Sequence, residues 1–457
     1  MSSASPYPLY DWSTKLIKEA RKSAGLVLSG EMFCVIYSAL IFIFFLFAPA
    51  QSVQNFEVLI FLSPLWLPFM VMGFAREKRL ELARALFHVT QKKILLELRV
   101  PRDTRKSPQA METFFTNLAL APGESTWYKR MIQGRTRPWW SLELVSTEGE
   151  VHFYIWTWEI WRRPLESFLY AQYPGAELIE ATDYSRLIDP SHEPNKMWTV
   201  EYAFAEPDAF PINSYIDFGL EKNPKPEEQV DPIAQVIEVL NSIGKGEHIW
   251  IQIMIQGDNA KSPKFAGRMN KKGKPYTIID EGEETIEKIR RNAMMQYEEV
   301  DSMGKKIKKT LTNPTKGQLD MISDISRKIY KPCYDVGMRA IYFADKEHFK
   351  GTTPGAVGSI WKPFGGANKI GDVGGSNDFF GYPWEDPGRK REAHMEHHAL
   401  LSYRRRAYFY PPCVGTYMIM SAEELATIFH IPSSTVASGG FTRIQSATSG
   451  APGNLPT

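Results

Sequence analysis

Three histidines in the C-terminal third of the chain have the spacing closest to that of a metal site. His394 and His398 are four residues apart, so on a helix they would share one face, as zinc ligands do. The stretch lacks the glutamate that a zinc protease uses as general base, because Met395 holds the second position and His397 stands where the inverted motif needs glutamate. A solvated helix face explains these residues as well. We therefore predict neither a metal nor another cofactor.

The sequence shows no loop for nucleotide hydrolysis. Residues 267–274 read GRMNKKGK, with five residues rather than four between the glycines and Pro275 where a serine or threonine must reach magnesium. The glycines in 365–375 also lack a following Lys-Ser or Lys-Thr pair. No GxSxG elbow is present, and no cysteine has a histidine in a catalytic signature. We therefore predict that the chain is not an enzyme.

Basic residues collect in three stretches, 261–274, 305–309 and 403–410. The third reads YRRRAYFY, where aromatic rings that can stack on bases flank arginines that can hold phosphates. An acidic partner, anionic lipid head groups and a solvated surface remain the alternatives, and a solvated surface is the preferred interpretation of the first two stretches. The candidate nucleic-acid-binding residues are Tyr403, Arg404, Arg405, Arg406 and Tyr408.

The length and composition of the chain indicate how many domains could position these residues. A chain of 457 residues, 43% of them hydrophobic, is large enough for two or three domains. The net charge of +2 provides no general attraction for nucleic acid, so binding must depend on local patches. Three widely separated cysteines, Cys34, Cys333 and Cys413, fit a reducing compartment and argue against a disulfide framework.

Two uncharged runs near the N-terminus have the length of membrane-spanning helices. Residues 32–50 and 58–75 reach the roughly 17–25 residues that cross about 30 Å of hydrocarbon. Pro64 and Pro68 are tolerated in membrane helices, where neighbouring groups re-satisfy the freed carbonyls. A helical hairpin buried in a soluble core is the alternative. The runs predict a two-helix transmembrane hairpin over residues 31–76.

Basic residues flank the two runs on their outer sides only. The flanking residues are Lys15, Lys18, Arg21, Lys22, Arg76, Lys78, Arg79 and Arg84. The connecting segment 51–57 contains neither lysine nor arginine. Since basic loops stay on the cytoplasmic side, both termini are predicted to be cytoplasmic. The prediction is a multi-pass protein of the inner (cytoplasmic) membrane, with the lipid bilayer as one partner.

Patterns of strand and helix alternate after the hairpin. After a stalk helix over 76–91, strands are predicted over 92–100, 139–146, 150–158 and 176–182, and helices over 108–120 and 164–173. The order β-α-β-β-α-β is that of the split βαβ, ferredoxin-like motif. We predict a first ferredoxin-like domain over residues 77–190.

A less regular version of the same pattern follows over residues 191–432. A polar insertion at about 259–316 interrupts it, with a helix predicted over 283–303. Residues 1–30 are predicted to be a cytoplasmic segment, and the Ser/Thr/Gly/Pro-rich residues 433–457 a flexible linker. The predicted fold class is therefore α+β, with a transmembrane hairpin followed by two ferredoxin-like cytoplasmic units.

Three segments resemble a bacterial membrane-protein family found beside, or fused N-terminal to, type IV secretion and conjugative coupling-type ATPases. The segments are residues 153–156 with 170–174, residues 400–411 and residues 420–432. The family has an N-terminal membrane hairpin and a cytoplasmic region of the ferredoxin-like kind. In its fused forms the ATPase begins soon after an Asn-Leu-Pro segment, whereas this sequence ends one residue after Pro456. The resemblance implies that the ATPase is a separate polypeptide.

The third segment contains a helix start. Ser421 and Glu424 have the spacing of a capping box, and an amphipathic helix follows. A role in docking the ATPase and simple packing of the helix on the last sheet are both consistent with this pattern. The candidate partner-binding residues are Glu423, Glu424, Leu425, Ile428 and Phe429.

The leading hypothesis is a non-enzymatic, membrane-anchored component of a type IV secretion-like machine for DNA or protein translocation. It would orient a separate cytoplasmic ATPase, with single-stranded DNA and a second copy of the chain as further partners. The alternative is a membrane-tethered nucleic-acid-binding module without an ATPase partner.

Overall fold

The computed structural model describes residues 61–444 with internal gaps. The gaps are residues 62, 102–105, 121–123, 125, 188–194, 222–230, 258–264, 266–267, 271, 301–305, 376–383, 385, 387, 389, 411–413 and 433–442. The chain divides into two compact units. The first comprises Met1–Phe87 with Met131–Gly134, and the second comprises His88–Arg130 with Arg135–Thr457.

Most of one long helix, α1 (Ser63–Thr90), lies in the first unit. Its apolar portion, residues 63–75, has 13 residues. At about 1.5 Å per residue this portion covers about 20 Å, whereas a bilayer core is about 30 Å thick. Charged residues follow from Arg76 onward, and no helix among the described residues is both long and apolar enough to cross a bilayer. The predicted multi-pass location in the inner membrane is therefore wrong; the run 32–50 lies outside the described residues.

The second unit is built on one mixed sheet. Its first elements are β1 (Lys93–Pro101), α2 (Pro108–Leu118), α3 (Trp127–Met131), β2 (Trp140–Thr147), β3 (Glu150–Trp158), α4 (Arg162–Gln172) and β4 (Glu177–Glu180). The strands lie in the order β4-β1-β3-β2, and every neighbouring pair among them is antiparallel. The strands predicted over 139–146 and 150–158 are confirmed as β2 and β3, which form a hairpin. Its two turn residues, Glu148 and Gly149, both have positive φ, as a type I′ turn requires.

The following elements repeat this arrangement with an insertion. They are α5 (Tyr184–Leu187), β5 (Asn195–Phe204), α6 (Pro232–Asn241), β6 (Glu247–Gly257), α7 (Ile278–Asn292), β7 (Met294–Val300), β8 (Lys306–Thr312), α8 (Lys316–Ile329), β9 (Cys333–Asp345), α9 (Thr353–Gly358), β10 (Ile370–Gly375), α10 (Lys390–Arg404), β11 (Met418–Ser421), α11 (Ala422–Ile428) and β12 (Arg443–Ile444). The strand order here is β10-β5-β9-β6, again antiparallel throughout.

Strands β2 and β6 join the two halves edge to edge. They pair antiparallel from Trp140 opposite Ile255 to Thr147 opposite His248, which makes one continuous ten-stranded sheet. One face of the sheet carries the apolar core, to which α2, α4, α6 and α11 contribute. We call the opposite face, which contains Glu143 and Gln252, the polar face. The α+β class is confirmed.

The helix of the polar insertion differs from its prediction at both ends. It was expected over 283–303, whereas α7 begins at Ile278 and ends at Asn292, and β7 follows at once. Residues 294–300 pair antiparallel with β8, so ladder hydrogen bonds replace the helical ones. Within the segment predicted to be a linker, the structure describes only β12, which pairs in parallel with the end of β1.

Candidate functional site

The residues predicted to bind a partner lie in the interior of the second unit. Each of the five is at most 3% exposed: Glu423, Glu424, Leu425, Ile428 and Phe429. The predicted capping box is confirmed, since the Ser421 backbone N–H donates to Glu424 Oε2 at 2.8 Å. Buried side chains offer no surface to a partner. The prediction that this helix docks an ATPase is therefore corrected, and the helix packs within its own chain.

Basic residues in and just after α8 explain why the two glutamates can be buried. Glu424 Oε1 lies 3.0 Å from the buried Lys328 Nζ and accepts a hydrogen bond from the Ile212 backbone N–H. Glu423 Oε2 lies 2.6 Å from Lys331 Nζ. A carboxylate taken out of water needs such partners to offset the cost of desolvation.

A buried ion pair follows α11. His430 Nε2 lies 3.0 Å from Asp231 Oδ2, and His430 Nδ1 lies 2.9 Å from the Ala426 carbonyl oxygen. Burial opposes protonation of His430, but the charge and hydrogen bond of Asp231 outweigh it and raise the pKa of the imidazole. Burial also opposes ionisation of Asp231, and the nearby His430 charge outweighs it and lowers the pKa of that carboxyl.

This pair predicts that stability depends on pH. Because the folded pKa of His430 is raised, its contribution is complete below the unfolded value of about 6.5 and is lost as pH rises through the folded pKa. The contribution of Asp231 is complete above about 3.9 and is lost in acid. His430→Gln is expected to destabilise the protein more at about pH 5 than at about pH 9. Urea unfolding at both pH values measures this, and an equal loss at both would contradict it.

Three of the five predicted nucleic-acid-binding residues are also buried. Tyr403, Arg406 and Tyr408 are at most 1% exposed. The Arg339 guanidinium on β9 lies 5.5 Å from the Tyr403 ring centroid and 5.6 Å from that of Tyr408. These residues cover the polar face of the sheet, so their prediction as direct contacts to nucleic acid is corrected.

A row of aligned side chains crosses this face from strand to strand. Cross-strand pairing aligns Glu97, Tyr154, Glu143, Gln252, Arg339 and Glu201. Gln252 Nε2 donates to Glu143 Oε1 at 2.9 Å, and Arg339 Nε donates to Gln252 Oε1 at 2.8 Å. Buried polar groups persist when they are hydrogen-bonded in this way.

Hydrogen bonds from Arg406 connect this row of side chains to the loop before α5. Arg406 Nε and Nη2 donate to the two oxygens of Glu143 at 2.9 and 3.1 Å, and its Nη1 donates to Asp183 Oδ2 at 2.6 Å. Burial would lower the pKa of Arg406, but Glu143 outweighs it and holds that pKa well above its usual value. The guanidinium therefore bridges two carboxylates that would otherwise repel each other.

Arg406 also ends helix α10 in an unusual conformation. Its φ is 48°, in the left-handed region that glycine usually occupies at this position. The backbone N–H groups of Arg406 and Ala407 donate to the carbonyls of Tyr403 and Ser402, which is the hydrogen-bond pattern of a Schellman motif. A non-glycine residue there costs roughly 1–2 kcal/mol. The bonds to Glu143 and Asp183 offset this cost and fix the last turn of α10.

The remaining two predicted residues, Arg404 and Arg405, line an open cleft of about 480 Å³. Arg404 is half-buried and its Nε donates to the Ser185 carbonyl oxygen at 2.8 Å, whereas Arg405 is exposed. Lys93 at the start of β1 and Arg186 in α5 also line the cleft. The structure thus brings together four accessible basic side chains from β1, from α5 and from the end of α10 with the residue that follows it. We call this site the basic cleft.

The charge of the basic cleft favours an anion. Its lining contains five basic residues (the four above and Arg406) and two acidic ones, Glu180 and Asp183, which leaves a net charge of +3. Both acidic residues are already paired: Asp183 with Arg406, and Glu180 with Arg162 at 3.0 Å. Loss of solvent and the nearby Arg186 lower the pKa of Lys93. An incoming anion would relieve the mutual repulsion of these cations.

Lys93, Arg186 and Trp156, which also line the cleft, were not among the predicted site residues. Each is a single residue on a separate element, and no spacing relates it to Arg404. Trp156 lies on β3 directly opposite Leu95 of β1, and both form part of the apolar wall. The alternation that predicts these strands also predicts that the two side chains share a face, but it does not predict what covers that face.

The three histidines considered as metal ligands lie on α10. His394, His397 and His398 are exposed. Within the described part of the chain, no three histidine, cysteine, aspartate or glutamate side chains converge to hold a metal ion.

Comparisons with protein-family models, with curated proteins and with solved structures find no match to this chain.

Proposed function

We propose that this chain binds the phosphate backbone of single-stranded nucleic acid in the basic cleft, as a non-enzymatic component of a DNA-translocation machine of the type IV secretion kind. The observation that carries the proposal is the convergence of Lys93, Arg186, Arg404 and Arg405 on one cleft. Basic side chains that converge on a groove supply the sequence-independent part of nucleic-acid affinity.

The dimensions of the cleft favour a single strand. A volume of about 480 Å³ is that of a small-molecule pocket, which accepts a nucleotide but not the width of a duplex. Trp156, Ile94 and Leu95 provide an apolar wall beside the cations. This combination suits a phosphate that is followed by an unpaired base.

Two of the segments that carry the family resemblance meet at the cleft. Trp156 belongs to the first segment, and Leu401, Arg404 and Arg405 belong to the second. The strand order of each half of the sheet supports two ferredoxin-like units, because both halves place the fourth strand beside the first and the third beside the second. The proposal assigns ATP hydrolysis to a motor outside residues 1–457, since these residues contain no Walker A motif.

The double substitution Arg404→Ala and Arg405→Ala tests the proposal. It is expected to weaken binding of a thymidine oligonucleotide about tenfold, because each exposed charge contributes up to about 1 kcal/mol. The dependence of log K on log salt should become shallower by about 1.4, at about 0.7 for each lost phosphate contact. Fluorescence anisotropy over a series of salt concentrations measures both quantities.

The matched control is Arg163→Ala, which removes an exposed arginine from α4 outside the cleft lining. It is expected to leave affinity and salt dependence within error of the wild type. Equal behaviour of the cleft variant and this control would overturn the proposal.

A further inference from the structure

Two neighbouring aromatic side chains are exposed on the short helix α3. Trp127 is 61% exposed and Tyr128 is 56% exposed. Aromatic residues normally bury 150–250 Å² each in a core or an interface, so two adjacent rings in solvent leave apolar surface uncovered. Neither ring belongs to the two hydrophobic clusters of the described residues.

The surroundings of the two rings are basic in sequence. Residues 126–140 read TWYKRMIQGRTRPWW and contain four basic residues and no acidic one. Arg137 is buried and forms an ion pair with Asp335 at 3.1 Å, so its charge is not part of this surface. Lys129, Arg130 and Arg135 are not buried. A partner for this surface must therefore offer both flat apolar faces and negative charge.

Local hydrogen bonds hold the segment in place. The Lys129 backbone N–H donates to Thr126 Oγ1 at 3.3 Å, and the Arg135 backbone N–H donates to the Lys129 carbonyl at 3.0 Å. Arg137 Nη1 donates to the Gly257 carbonyl at 2.6 Å, which fastens the following chain to the end of β6. These hydrogen bonds fix the start of α3 and the chain after it. Binding of a ligand to the two rings therefore has little further cost in conformational entropy.

We infer that Trp127 and Tyr128 form a base-stacking site for single-stranded nucleic acid, with Lys129, Arg130 and Arg135 holding the adjoining phosphates. The class of ligand rests on the proposed function, whereas the site itself is separate from the basic cleft. Every base has a π face, so stacking on two rings gives affinity without sequence preference. Exposed rings beside cations are the arrangement that such binding requires.

The test is the double substitution Trp127→Ala and Tyr128→Ala in the full chain. Binding of a thymidine oligonucleotide is expected to weaken at least fivefold, because stacking contributes about 1–3 kcal/mol for each base. The salt dependence should stay at the wild-type value, since no phosphate contact is removed. Trp127→Phe with Tyr128→Phe should retain most of the affinity, which separates the loss of rings from a loss of folding.

An abasic oligonucleotide provides the decisive comparison. Wild type and the double-alanine variant should bind it equally, because it has no base to stack. If the variant binds the thymidine oligonucleotide as tightly as the wild type does, the stacking site is overturned, and the proposed function stands if the Arg404 and Arg405 variant is still weakened. If only the stacking variant is weakened, the basic cleft fails and the stacking site stands. A wild type that binds neither oligonucleotide overturns both.

Discussion

Glu143→Ala is expected to lower the free energy of unfolding of the second unit by about 3–5 kcal/mol, which is the cost of leaving one member of a buried ion pair uncompensated. Glu143 is fully buried and accepts both hydrogen bonds that Arg406 directs toward it. It also accepts hydrogen bonds from Gln252 and from the Tyr184 hydroxyl. Removal of the carboxylate leaves several buried donors unsatisfied, each at a further cost. Urea or guanidinium unfolding, followed by circular dichroism, measures the loss.

A partly exposed glutamate provides the control. Glu166 pairs with Arg162 at 2.9 Å on the surface of α4. Glu166→Ala is expected to cost less than about 1 kcal/mol, because solvent screens exposed pairs. The paired substitution Glu143→Leu with Arg406→Leu should recover a large part of the loss, since apolar residues that replace a whole buried ion pair are often tolerated. A loss below 1 kcal/mol for Glu143→Ala would show that this network does not stabilise the fold.

Local patterns predicted the secondary structure where local interactions determine it. The two strands that flank the Glu148-Gly149 turn and the capping box of Ser421 could be predicted, because the residues that determine them lie close together in the sequence. The same applies to the strands of the first half, where alternating apolar residues face the core.

The burial of the two predicted sites could not be predicted from the sequence, because the residues that form ion pairs with them are distant in the sequence. Arg406 meets Glu143 across 263 positions, and Glu424 meets Lys328 across 96. Arginines interleaved with aromatic rings are equally suited to stacking on bases and to covering a polar row on a sheet. Only the tertiary structure decides between the two roles. In this short segment Arg406 is buried, whereas the neighbouring Arg405 is exposed.

The membrane prediction failed for a different reason. Apolarity was counted along the sequence, whereas a span requires a continuous helix of sufficient length without charge. In α1 the uncharged portion continues directly into the charged residues from Arg76 onward within the same helix.

The second large effect is expected from Gly337→Ala. A Cβ atom at Gly337 on β9 would overlap the ring of Tyr408, and one at Gly415 would overlap the same ring. The hydroxyl of Tyr408 donates to the Thr416 carbonyl at 2.8 Å, so the ring is held at both its face and its tip. Overpacking usually costs about 1–3 kcal/mol, and we expect about 3 kcal/mol here because the ring has no room to retreat.

A double-mutant cycle tests whether the Tyr408 ring is the cause. In a Tyr408→Ala background the space of the ring is empty, and Gly337→Ala should then cost less than about 1 kcal/mol. Gly351→Ala, at a glycine where an added Cβ meets no atom within 4 Å, is the control and should change stability by less than about 0.5 kcal/mol. An equal cost of Gly337→Ala in both backgrounds would mean that the backbone of β9, and not the ring, requires glycine. Coupling of about 2 kcal/mol between the two substitutions would instead show that the Tyr408 ring packs directly against β9. That contact would then hold the segment that contains Arg404 and Arg405 against the sheet.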